Sequence, residues 1–142
     1  MIKKTIEYKD HNGETRKEDF YFNLSKAEVM EMELSIQDGM STYIQGIIDS
    51  KSIPELAAWF KKMILTSYGI KSADGRSFVK LDDEGRPLSI KFSQTEAFSE
   101  LYMELTLNTE SATNFVEGIM PDMSNINVVG NSDQLIPTTL SL

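Results

Sequence analysis

The feature that most restricts the fold lies near the N-terminus, where Asp10-His11-Asn12-Gly13 separates two segments of strand-like pattern. Asn-Gly tolerates the positive φ angles that tight hairpin turns require. Ile2 to Tyr8 alternates roughly between apolar and polar residues, and Thr15 to Phe22 stays polar until the cluster Phe20-Tyr21-Phe22. Residues 2–9 and 15–22 are therefore predicted to pair as a β-hairpin. A lone hairpin is marginally stable in water, so its aromatic end must pack on helices or on a neighbouring subunit. This directs the chain to an α+β class, a hairpin over 2–22 followed by a compact bundle of about four to five helices over 25–120.

The helices announce themselves by their caps. Ser25-Lys26-Ala27-Glu28 fits a capping box, in which hydroxyl and carboxylate satisfy orphan amides of the first turn. The helix it opens, about 26–36, stops before Gly39 and is apolar on two sides: Ala27, Met30 and Leu34 fall together, and Val29, Met32 and Ile36 fall roughly opposite. Such a helix needs two burials, one against its own core and one against a partner. Residues 41–49 carry a single stripe of Tyr43, Ile44, Ile47 and Ile48. Ser52-Ile53-Pro54-Glu55 opens a further helix with Leu56, Phe60, Met63 and Ile64 on one face, Trp59 at its edge and Leu65 alone on the far side; Tyr68-Gly69 ends it, with Gly in the left-handed conformation.

Residues 70–92 read as a turn, a short strand-like piece and a loop. Ser93-Gln94-Thr95-Glu96 reads as a second capping box for a helix from 94 to about 106, with Ala97, Phe98, Leu101, Tyr102 and Leu105 inward and Glu96, Glu100 and Glu104 as an acidic ridge. A last helix, 109–119, turns Ala112, Phe115, Val116 and Ile119 inward and is stopped by Met120-Pro121. The composition then shifts to Asn, Ser, Thr, Asp and Gly with no basic or aromatic residue, so residues 1–121 are read as one domain and 122–142 as a flexible tail.

Chemistry is sparse. With 142 residues the chain can bury one core unaided, and the absence of cysteine removes disulfides and thiolate catalysis. The single histidine, His11, has no second ligand for zinc. No serine sits in a nucleophile elbow, and no phosphate loop is present. Asp82-Asp83-Glu84 lacks the alternating ligands of a calcium loop. Glu96 and Glu100 lie on an exposed ridge, where nothing tunes a carboxyl toward neutral pH. The sequence therefore carries no catalytic residue and calls for no cofactor or metal. A net charge of −8 opposes binding to nucleic acid and to anionic membranes and steers basic protein partners inward. There is no run of about 18 apolar residues to span a bilayer, and MIKKTIEYKD lacks the long apolar core of a secretion signal. Among the methionines, Met30, Met63 and Met103 read as core filler. Met32, Met40, Met120 and Met123 include positions off the main stripes, where flexible thioethers suit a surface that accepts varied partners.

Three segments in order, Phe20-Tyr21-Phe22-Asn23-Leu24-Ser25-Lys26-Ala27-Glu28, Phe60-Lys61-Lys62-Met63-Ile64-Leu65-Thr66-Ser67-Tyr68-Gly69 and Phe92-Ser93-Gln94-Thr95-Glu96-Ala97-Phe98-Ser99-Glu100-Leu101, together with Ser72-Ala73-Asp74-Gly75-Arg76-Ser77-Phe78, resemble the tail assembly chaperones of long-tailed phages and prophages of Gram-positive bacteria. The resemblance spans residues 1 to about 121. It implies a non-catalytic protein of the host cytoplasm, absent from the mature virion, that binds the tape measure protein, keeps it soluble while tail tube protein is recruited, and is displaced as the tube polymerises. It also implies two product lengths through ribosomal frameshifting. Self-association would add avidity along an extended client. The competing expectation is a structural component of the tail, a small tube or joining protein. Partner contacts are expected at Val29, Met32 and Ile36, at Leu65, and along Glu96, Glu100 and Glu104.

Overall fold

A computed structural model of the chain describes residues 1–123. The expected flexible tail lies, from residue 124 onward, outside the described residues. The order is β1 (Ile2–Lys9), β2 (Thr15–Phe22), α1 (Lys26–Ser35), α2 (Gly39–Ser50), α3 (Ile53–Ser67), β3 (Tyr68–Lys71), β4 (Phe78–Val79), α4 (Ser89–Phe92), α5 (Glu96–Leu107) and α6 (Thr109–Ile119). The class is α+β, with an antiparallel four-stranded sheet in the order β1-β2-β3-β4.

The hairpin forms where its pattern places it, in register from Ile2 opposite Phe22 to Lys9 opposite Thr15. Its turn is built by Asp10, whose Oδ1 accepts from the amides of Asn12 (2.9 Å) and Glu14 (3.0 Å), with Gly13 at φ 80°. The Arg16 guanidinium, 2.7 Å from Oδ2, and then these amides hold the Asp10 carboxyl below the usual aspartate range. The same device recurs at Asp82, which accepts from Glu84 N and Arg86 N at 2.9 Å, so the acidic loop 82–84 is a hairpin turn. One sheet face carries Lys3, Thr5, Glu7 and Lys9, all exposed. The other presents Ile2, Ile6, Phe20 and Phe22 to the helices.

Phe92 centres the core. Its ring stacks on Tyr68 (4.2 Å, 4°) and meets Phe20, Phe22 and Phe98 at 5.3–5.9 Å. Fully buried Phe22 reaches Phe115 on α6 at 5.2 Å, edge to face. The sheet and α6 are thus joined through aromatic rings donated by β2, β3 and α4.

Lys80 ties the layers together. Its ammonium donates to both carboxylate oxygens of Glu28 (2.8 and 2.7 Å), to the Asn23 carbonyl (2.7 Å) and to the Thr66 carbonyl (2.9 Å). Glu28 also completes the capping box with Ser25. Burial pushes the Glu28 carboxyl up, but the bonds from Lys80 and Ser25 outweigh it and hold the group below its ordinary value.

Four local expectations are corrected. Residues 70–92 keep the expected strand-like piece as β4 but also hold the end of β3, a bridge from Leu81 to Pro87 and helix α4, because Ile70 and Lys71 pair with Val79 and Phe78 and extend the sheet. Gly69 is in β3 and not left-handed; a Cβ there would lie 2.5 Å from the Phe78 ring and 2.7 Å from the Val79 carbonyl oxygen. The residue that caps α5 is Thr95, whose hydroxyl accepts from Phe98 N, while Ser93 donates to the Ile90 carbonyl. Helix α2 begins at Gly39, earlier than expected, because the buried Glu33 carboxylate accepts from Met40 N at 2.9 Å.

Candidate functional site

Helix α1 turns inward the side that carries Val29, which is fully buried beside Glu33. The expected contact surface of Val29, Met32 and Ile36 is therefore corrected at Val29. That residue is core, and α1's outward apolar residue is Leu34, 67% exposed. Sequence could not orient this helix, since its two apolar sides have equal weight.

Met32 and Ile36 do share a surface. They form one wall of a groove of about 290 Å³ between α1, α2 and α3, with Met40 and Tyr43 from α2 and Trp59, Lys62 and Met63 from α3. Met40, Met63 and Trp59 are buried and make its floor; Met32 and Ile36 are half-buried; Tyr43 and Lys62 reach solvent at the rim. The N-terminal cap of α2 by Glu33 and the left-handed turn at Asp38 (φ 64°) fold α2 back against α1. Met40 is core as well as lining, and Trp59, expected at a helix edge, is 4% exposed.

Chemically the groove is apolar with a polar rim. Its lining has no carboxylate, histidine or cysteine, and Lys62 is its one charged residue. Three thioethers, Met32, Met40 and Met63, can repack around differently shaped apolar side chains. A groove of this size takes one or two such side chains, and burying a leucine or phenylalanine contributes roughly 1.5–3 kcal/mol.

The remaining expected contact residues are dispersed. Leu65 is half-buried and lines a second cavity of about 280 Å³ with Thr66, Tyr68, Lys80, Leu81, Pro87 and Ser89. On α5, Glu104 pairs with Lys4 of β1 at 2.7 Å and Glu96 lies 3.7 Å from His11 Nε2, so the hairpin comes close to both ends of the acidic ridge; Glu100 is exposed. Met103, expected in the core, is 51% exposed.

Among the described residues no three His, Asp or Glu side chains gather in a way that could hold a metal ion, and no helix is long and apolar enough to cross a membrane. A family described as "Phage tail assembly chaperone" matches residues 1–129, the described domain and a few residues beyond. No curated protein and no solved structure matches the chain.

Proposed function

The chain belongs to the phage tail assembly chaperone family, and from that membership we propose that it binds the tape measure protein in the host bacterial cytoplasm, keeps it soluble while tail tube protein is recruited, and leaves as the tube closes around the client. The observation that carries this reading is the methionine-walled groove between α1, α2 and α3. A client helix would insert apolar side chains at one-turn spacing against Met32 and Ile36, the helix-in-groove mode of recognition. Weak single contacts favour release, and self-association of chaperone copies along the client supplies the holding strength. Leu65 and the α5 glutamates lie off this groove and serve as peripheral contacts. The protein acts as an assembly factor without catalysis or cofactor and is left out of the finished virion.

The experiment is co-expression with the tape measure protein, followed by centrifugation. The client is expected in the supernatant with the wild-type chain and in the pellet with the double variant Met32→Ser, Ile36→Ser, whose far-UV circular dichroism should match wild type. A client that is equally soluble with either chain, or insoluble with both, contradicts the reading.

A further inference from the structure

Helix α5 carries two large apolar side chains on its solvent side. Its inward stripe of Ala97, Phe98, Leu101 and Leu105 is buried, yet Met103 and Leu107, one turn apart, are 51% and 75% exposed. Single exposed aliphatics are ordinary. This pair is distinguished by its electrostatic setting. From Phe92 to Met123 the chain has the acidic residues Glu96, Glu100, Glu104, Glu110, Glu117 and Asp122 and no lysine or arginine, all of the 14 basic residues lying at or before Lys91. The hairpin contributes the Lys4 ammonium to Glu104 at 2.7 Å, and the His11 ring lies 3.7 Å from Glu96. Among the described residues no ion pair reaches Glu100, which at 100° per residue shares the outward side with Met103 and Leu107.

We propose that the outer face of α5, built on Met103, Leu107 and Glu100, docks a basic amphipathic helix of a partner protein. Apolar anchors one turn apart on that helix would cover Met103 and Leu107, and flanking Lys or Arg would meet Glu100 and its neighbours. Charge complementarity selects this occupant: an acidic surface repels nucleic acid and anionic lipid and attracts a cationic helix. The inference rests on the chain binding helical protein segments, as proposed above, but it places a second contact on a different face from the groove.

The probe is a synthetic helical peptide of about 18 residues with two leucines four positions apart flanked by lysines, and a control with glutamate for every lysine. Binding is followed by ¹H–¹⁵N NMR titration. Shifts should centre on residues 96–107. Leu107→Ser and Glu100→Lys should each weaken binding about five- to tenfold, and raising salt to about 0.5 M should weaken it further. Because both side chains are exposed, these variants should keep the wild-type spectrum elsewhere. The groove variant Met32→Ser, Ile36→Ser should bind the peptide normally, which separates failure of this inference from failure of the groove. Absence of binding, equal binding of the glutamate control, or shifts confined to the groove would overturn the proposal. So would a concentration-dependent self-association that Leu107→Ser abolishes, since that would give the face to a second copy of the chain.

Discussion

Replacing Lys80 by methionine keeps an unbranched stem of similar length and removes the ammonium. Four oxygen contacts at 2.7–2.9 Å are lost together, two to Glu28 and one each to the carbonyls of Asn23 and Thr66. The Lys80 and Glu28 side chains are 21% and 31% exposed, so water can replace only part of what is removed. A hydrogen bond to a charged group is worth about 1.5–3 kcal/mol, and a buried partner left unsatisfied costs about 1–3 kcal/mol. With partial rehydration the expected net loss is about 2–3 kcal/mol. Urea unfolding followed by circular dichroism should show the midpoint falling by about 1 M at unchanged slope, given slopes of about 1–3 kcal/mol/M. The double variant Lys80→Met, Glu28→Gln should be less damaged than the sum of the singles by about 1 kcal/mol or more. A Lys80→Met protein within about 0.5 kcal/mol of wild type, the level of an ordinary surface substitution, or strict additivity with Glu28→Gln, would refute the view that this ammonium joins α1, α3 and the sheet.

Acid should act through the same centre. The folded Glu28 carboxyl lies below its ordinary 4.5, so its contribution is complete above that pH and disappears as pH falls through the lower folded value; urea midpoints should decline in that window, and Glu28→Gln should flatten the decline. Gly69→Ala should destabilise by about 1–3 kcal/mol through collision with Phe78 and Val79. Gly46→Ala, in helix α2 with nothing within 4 Å, should stabilise by about 0.5–1 kcal/mol; thermal melts that reverse this order would contradict both assignments. Mass spectrometry of purified phage particles should detect tube and tape measure proteins but not this chain, and its presence at tube-like stoichiometry would favour a structural tail component.

Much of the architecture was readable because it is encoded locally. Asn12-Gly13 and the flanking alternation specify the hairpin, and Ser25 with Glu28, Ser52 with Pro54, and the 3.6-residue stripe ending at Ile119 specify α1, α3 and α6. What escaped is long-range. The expected strand-like piece is present as β4, but β3 exists only because Tyr68 and Gly69 pair with Phe22 and Tyr21. Lys80 looks like any solvated lysine until residues 14 and 52 positions away deliver oxygens to it. For the groove, Met32 and Ile36 were legible as apolar and in phase. The burial of Val29 and the exposure of Met103, expected in the core, depend on how α1 and α5 roll against neighbours. The absence of basic residues after Lys91 was visible in the sequence, but its bearing on α5 requires knowing which side of that helix faces outward.

Methyl NMR of the chain with ¹³C-labelled methionines, titrated with segments of the tape measure protein, interrogates the groove directly. The methyls of Met32, Met40 and Met63 should shift together and saturate with one dissociation constant, while exposed Met1, which lies outside both contact surfaces, stays in place. A tape measure segment that binds without moving those three methyls would remove the groove from the account.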